Sequence, residues 1–214
     1  MFSGKQMSQK LVSGLVISGA WNPAILQPNW LAKEAFGVPN GQSLNVKMQF
    51  SSIPMEAPRF AIEGIMFSPR MDRLEIARDE SIPEDISFSD IEAKAIKILN
   101  ALSHTPVVAF GENFQYIFEE PPEELLTVFA INDDLDSRLK EAAELSGVQI
   151  VKTMKLSDCI LNISRSYENG RVLMEFNFHY QVSTAEEAAL QMAGTYERNF
   201  ERTKLIINSY GDFL

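Results

Sequence analysis

The sequence predicts an α+β fold, an antiparallel sheet with long helices packed on one face. Three observations carry this. Asn169-Gly170 stands between two alternating apolar runs, and both residues accept the positive φ of a type I′ hairpin turn. Short strand-like runs with two-residue periodicity recur along the chain. Ser89 with Glu92, and Thr184 with Glu187, form capping-box patterns ahead of helical apolar stripes.

The hairpin is the sharpest of these. A two-residue loop fixes register, so Ile163 falls opposite Phe176, Leu161 opposite Phe178 and Cys159 opposite Tyr180. That face is apolar. The other face pairs Ser164 with Glu175, Asn162 with Asn177 and Ile160 with His179. A one-residue slip would invert every side chain.

The remaining elements follow in order. Leu11–Trp21 reads as a strand apolar on both sides. Asn29 caps a helix through Phe36, ended by Gly37 and Pro39. Leu44–Phe50 alternates as a half-buried strand after an Asn40-Gly41 turn. Ile53–Pro58 is a connection. Phe60–Phe67 is a strand, Ser68-Pro69 opens its turn, and Arg73–Arg78 returns with Leu74 and Ile76 inward. Ile82–Ser87 links to a helix with Phe88, Ile91, Ala95, Ile98, Leu99 and Leu102 on one stripe, stopped at Thr105-Pro106. In Val107–Phe118, Val108, Phe110, Phe114, Tyr116 and Phe118 share a face. Glu112 interrupts that face, and Gly111 beside it suggests a β-bulge; an inward carboxyl of shifted pKa is the functional alternative. After Pro121-Pro122, Asp133 or Asp134 caps a helix with Leu135, Leu139, Ala142 and Leu145 inward, closed by Gly147. Val148–Lys155 is a strand, then comes the hairpin. One long helix runs from Thr184 to about Ser209 with Ala189, Met192, Ala193, Tyr196, Phe200, Thr203 and Ile207 on its stripe.

This order divides into two β-α-β-β-β-α halves, 1–104 and 105–214, that suit an internal duplication within one structural unit. The layout resembles the duplicated strand–helix–strands–helix arrangement of the TATA-binding-protein-like folds. That resemblance implies one extended or saddle-shaped antiparallel sheet with the two long helices on one face. It rests on element order alone.

Composition narrows the function. The chain has 214 residues, 45% hydrophobic and 22% charged, as a globular protein does. A net charge of −10 opposes nucleic-acid binding through phosphates and attachment to anionic lipid. The one cysteine, Cys159, excludes an internal disulfide and reads as a buried thiol. The absence of an 18-residue apolar run and of a leader pattern gives the expectation of a cytoplasmic protein, not a membrane one.

No Walker loop, dinucleotide fingerprint, nucleophile elbow or His-Glu-x-x-His pattern occurs. Two histidines offer little for a zinc site, and Asn132–Asp136 lacks the glycine of a Ca²⁺ loop. No catalytic residue, metal site or cofactor is expected. His104 at a helix end reads as a cap suited to the helix dipole. The strongest binding candidate is the hairpin's polar face: Asn162, Ser164, Glu175, Asn177 and His179. Glu175 and His179 lie roughly 13 Å apart along one strand, too far for one to orient the other. The 14 Phe, five Tyr, two Trp and nine Met are mostly core, with Trp21, Trp30 and Met55 left as candidates for an interface. The expected function is a non-enzymatic protein-interaction or assembly module that self-associates through a strand edge or apolar patch. The alternative is a small-molecule binder or enzyme using the polar face around Glu175 and His179.

Overall fold

The computed structural model describes residues 9–39, 41–42, 44–50, 58–81, 86–129 and 146–211. The strands are β1 (Gln9–Gly19), β2 (Val46–Gln49), β3 (Arg59–Ile62), β4 (Ile65–Pro69), β5 (Arg73–Arg78), β6 (Val107–Phe118), β7 (Gly147–Lys155), β8 (Ile160–Glu168) and β9 (Arg171–Gln181). The helices are α1 (Pro28–Glu34), α2 (Phe88–Ala101), α3 (Glu123–Leu126), α4 (Ala185–Met192) and α5 (Thr195–Asn208), with a 3-10 turn at Thr127–Phe129. The antiparallel sheet has the order β2-β3-β4-β5-β1-β6-β9-β8-β7. The α+β class and antiparallel sheet expected from the sequence are therefore present. The helix expected to start at Asp133 or Asp134 lies outside the described residues, as do Met55, Asn40 and most of the connections Ile53–Pro58 and Ile82–Ser87.

The chain forms two compact units. One takes the residues up to Val12, Phe114–Asn177 and Glu201 onward; the other takes Ser13–Asn113 and Phe178–Phe200. In the first, β7 pairs with β8 along its whole length, from Gly147 opposite Glu168 to Lys155 opposite Ile160. The hairpin turn is as expected, with Asn169 at φ 52° and Gly170 at φ 79°. Its apolar face is buried at Leu161, Ile163, Val172, Met174 and Phe176. Phe114, Tyr116 and Phe118 are buried too, and Tyr116 meets Phe176 edge-on at 6.0 Å between ring centres. Burying each such aromatic contributes about 2–3 kcal/mol.

In the second unit, Leu15 and Ile17 of β1 face the core opposite Ile76 and Leu74 of β5. A Cβ on Gly19 would stand 2.4 Å from the Pro106 carbonyl oxygen, so only glycine allows this approach. Several boundaries differ from the sequence expectation, each for a local reason. Residues 60–67 are two strands, because Glu63 and Gly64 adopt φ 46° and 78° and make a second tight turn. β2 is fully exposed rather than half-buried, since it is an end strand of the sheet. In α1, Pro28 takes the first turn and Gln27 precedes it, so Asn29 is not the cap. In α2, Ser87 is the cap: its hydroxyl accepts from the Asp90 N–H at 3.1 Å. That displaces the expected Ser89–Glu92 box and leaves Glu92 available elsewhere. At Thr184 the cap is as expected, accepting from the Glu187 N–H at 3.0 Å. The single long helix is instead two, broken at Gly194 with φ 76°.

Candidate functional site

The second unit contains a polar cluster inside an apolar interior. From Phe110 to Phe118, every second residue of β6 is buried, and Glu112 falls in that series. The alternation that seats the aromatics therefore carries the carboxyl inward, and Glu112 is 0% exposed. Its Oε1 contacts Thr195 Oγ1, and its Oε2 accepts from Asn199 Nδ2 at 2.5 Å. Asn199 Nδ2 also donates to the Tyr180 hydroxyl at 2.7 Å. Thr195 and Asn199 lie one turn apart on α5, so one helix face presents both.

Glu92 completes the cluster from α2. Its Oε1 accepts the Gly194 N–H at 2.7 Å, and its Oε2 accepts the Tyr196 N–H at 3.0 Å. These donors exist because the helix restarts after Gly194, leaving backbone N–H groups without intrahelical partners. A carboxylate at a helix N-terminus is also favoured by the dipole. Burial is the main force on Glu112, pushing its pKa up to about 7; the Glu92 charge adds to the rise, while Thr195, Asn199 and the Arg198 charge oppose it. The ring of Tyr180 stacks on Phe110 at 4.5 Å, and Phe88 packs on Tyr196 at 5.0 Å and on Phe200 at 4.5 Å. The arrangement can hold a proton on Glu112.

The residues expected to bind a ligand are arranged otherwise. Asn162 Nδ2 donates to Asn177 Oδ1 at 3.2 Å, and Thr153 Oγ1 donates to Asn162 Oδ1 at 2.8 Å. Ser164 Oγ accepts from Gln149 Nε2 at 3.2 Å, and Glu175 accepts from Gln115 Nε2 at 2.9 Å. This face of the first unit is thus a ladder of cross-strand side-chain bonds. His179 belongs to the second unit and is half-buried. At the turn end of the ladder, Glu119, Ser166, Glu168, Asn169, Arg171 and Leu173 line an open groove of about 410 Å³, in which Arg171 pairs with Glu119 at 2.7 Å.

Other candidates resolve plainly. Cys159 is buried. Trp21 is buried, and its indole N–H donates to the Ile17 carbonyl at 2.9 Å, so it is core rather than interface. Trp30 is half-buried, and His104 is exposed beyond the last residue of α2. Among the described residues no group of acids, cysteines or histidines could hold a metal ion. No helix among them is long and apolar enough to cross a membrane. Exposed apolar side chains among the described residues include Val46 and Met48 on β2, Phe50 just after it, and Val151 and Met154 on β7, with others scattered singly at Ile25, Met71, Val108, Ile160, Leu190 and Leu205. No family model, curated protein or solved structure matches the chain.

Sequence reasoning singled out Glu112 through its place in an aromatic strand. It missed Thr195, Asn199 and Glu92 as its neighbours. The signal for the first two was the Gly194 that breaks the helix; for Glu92 it was Asp90, which fills the capping role at Ser87.

Proposed function

We propose that the protein is a non-enzymatic assembly module that self-associates through the β7 edge. One observation carries the reading: β7 ends the sheet order, is paired on one side by β8 along all its length, and exposes Val151 (63%) and Met154 (47%). An end strand presents a row of backbone donors and acceptors to a further strand. Antiparallel pairing with a second copy, centred on Val151, would set Lys152 against Ile150 and Lys155 against Gly147. No like charges would then face each other. Such a contact is isologous and closes as a dimer.

The test is sedimentation equilibrium over rising concentration. The wild type is expected to gain mass toward a dimer, and Val151→Lys with Met154→Lys to remain monomeric. A wild type monomeric throughout would contradict the reading.

A second reading keeps the polar sheet face of the first unit as a ligand surface, with Asn162, Ser164, Glu175 and Asn177 as its residues. The groove beside Ser166 and Arg171 favours it. Screening small polar compounds by amide chemical shifts would move Ser166 and Arg171 if it holds, and leave them unmoved if it fails.

Two further inferences concern organisation. The halves 1–104 and 105–214 are read as a duplication, with the helices on one sheet face. The strand order supports this: β5-β4-β3 runs outward from β1, as β9-β8-β7 does from β6. A cytoplasmic site of action accords with the buried thiol of Cys159.

A further inference from the structure

The α4–α5 break is held by a proton count that does not close with an ionised Glu112. Thr195 Oγ1 lies 2.7 Å from the Met192 carbonyl oxygen, the last of α4, and also contacts Glu112 Oε1. A hydroxyl carries one proton. If it goes to Glu112, the Met192 oxygen faces Thr195 with no hydrogen between them. If Glu112 carries its own proton, the carboxylic acid donates to Thr195, and Thr195 donates to Met192. Only the second arrangement satisfies every contact.

We propose that Glu112 is a proton-operated latch on the helix break: protonated, it locks Met192, Gly194 and Thr195 in place, and ionised, it frees the joint. The groups facing it are Glu92 on α2, Tyr180 on β9, and Thr195, Tyr196, Arg198 and Asn199 on α5. Ionisation has two local consequences. Thr195 turns to the new carboxylate and gives up its hydrogen bond to the Met192 carbonyl. A second negative charge then stands in the same interior as Glu92, whose oxygens hold the Gly194 and Tyr196 N–H groups. The lost hydrogen bond and like-charge repulsion both favour opening. The break at Gly194 is where opening requires least, because neighbouring residues there already leave the helix.

Hydrogen exchange at the Gly194 and Tyr196 amides tests this, with rates corrected for the intrinsic pH effect. Wild-type protection is expected to fall by about tenfold or more between about pH 5 and about pH 8.5. Glu112→Gln keeps the shape and a fixed donor, so its protection should stay flat over that range. Thr195→Val removes the bridging hydroxyl and should lose protection at both ends of the range. Flat wild-type protection would overturn the proposal, whatever the variants do. So would a Glu112→Gln profile that falls as steeply as the wild type.

Discussion

Two polar regions of this protein use the same residue types to opposite ends. On the hairpin's outer face, Asn162, Ser164, Glu175 and Asn177 bond to one another or to neighbouring strands at half-buried or exposed positions. Water can replace any of these partners. In the interior around Glu112, each partner is a fixed protein atom, and no replacement is at hand. The comparison teaches that chemistry here follows enclosure rather than the density of polar residues. The outer face has more polar groups, but the enclosed cluster has the perturbed one.

Breaking the interior should therefore cost far more than breaking the face. Glu92→Ala removes the acceptor of two helix-terminal N–H groups and should lose about 3–4 kcal/mol in urea unfolding at neutral pH. The pH dependence comes next. Glu112 holds its proton more tightly folded than unfolded, so its stabilisation is complete below about 4.5 and is lost as pH rises to about 7. The loss approaches about 3 kcal/mol and is constant above that range. Glu112→Gln should flatten this segment of the stability curve, as thermal melts at several pH values would show. Gly170→Ala places a Cβ at φ 79° and should cost about 1 kcal/mol, through backbone strain alone. Asn162→Ala and Glu175→Ala should each change stability by less than about 0.5 kcal/mol. Losses of several kcal/mol there would erase the contrast.

What the sequence made readable follows the same division. The Asn169-Gly170 turn was readable because its geometry demands positive φ at both positions, and strict alternation then sorted Leu161, Ile163, Phe176 and Phe178 from Asn162 and Asn177. Glu63-Gly64 makes a comparable turn but lacks the asparagine signal, so β3 and β4 read as one strand. Glu112 was conspicuous as a carboxyl on the aromatic face of β6; the bulge expected at Gly111 would have re-aimed it, but the alternation runs on from Phe110 to Phe114 and carries it inward. Its partners left only indirect signals, the helix break at Gly194 and the Ser87–Asp90 cap. Glu92 lies in α2 and Thr195 in α5, about a hundred positions apart, and only the tertiary fold brings them together. The burial of Trp21 is tertiary in the same way.

Burial should let Glu112 keep a proton under conditions where an ordinary glutamate has lost it. The direct measurement is an NMR titration of its side-chain carboxyl carbon in the wild type, assigned by comparison with Glu112→Gln. A midpoint near the expected value of about 7 supports the claim, and a midpoint at the ordinary 4.5 would contradict it.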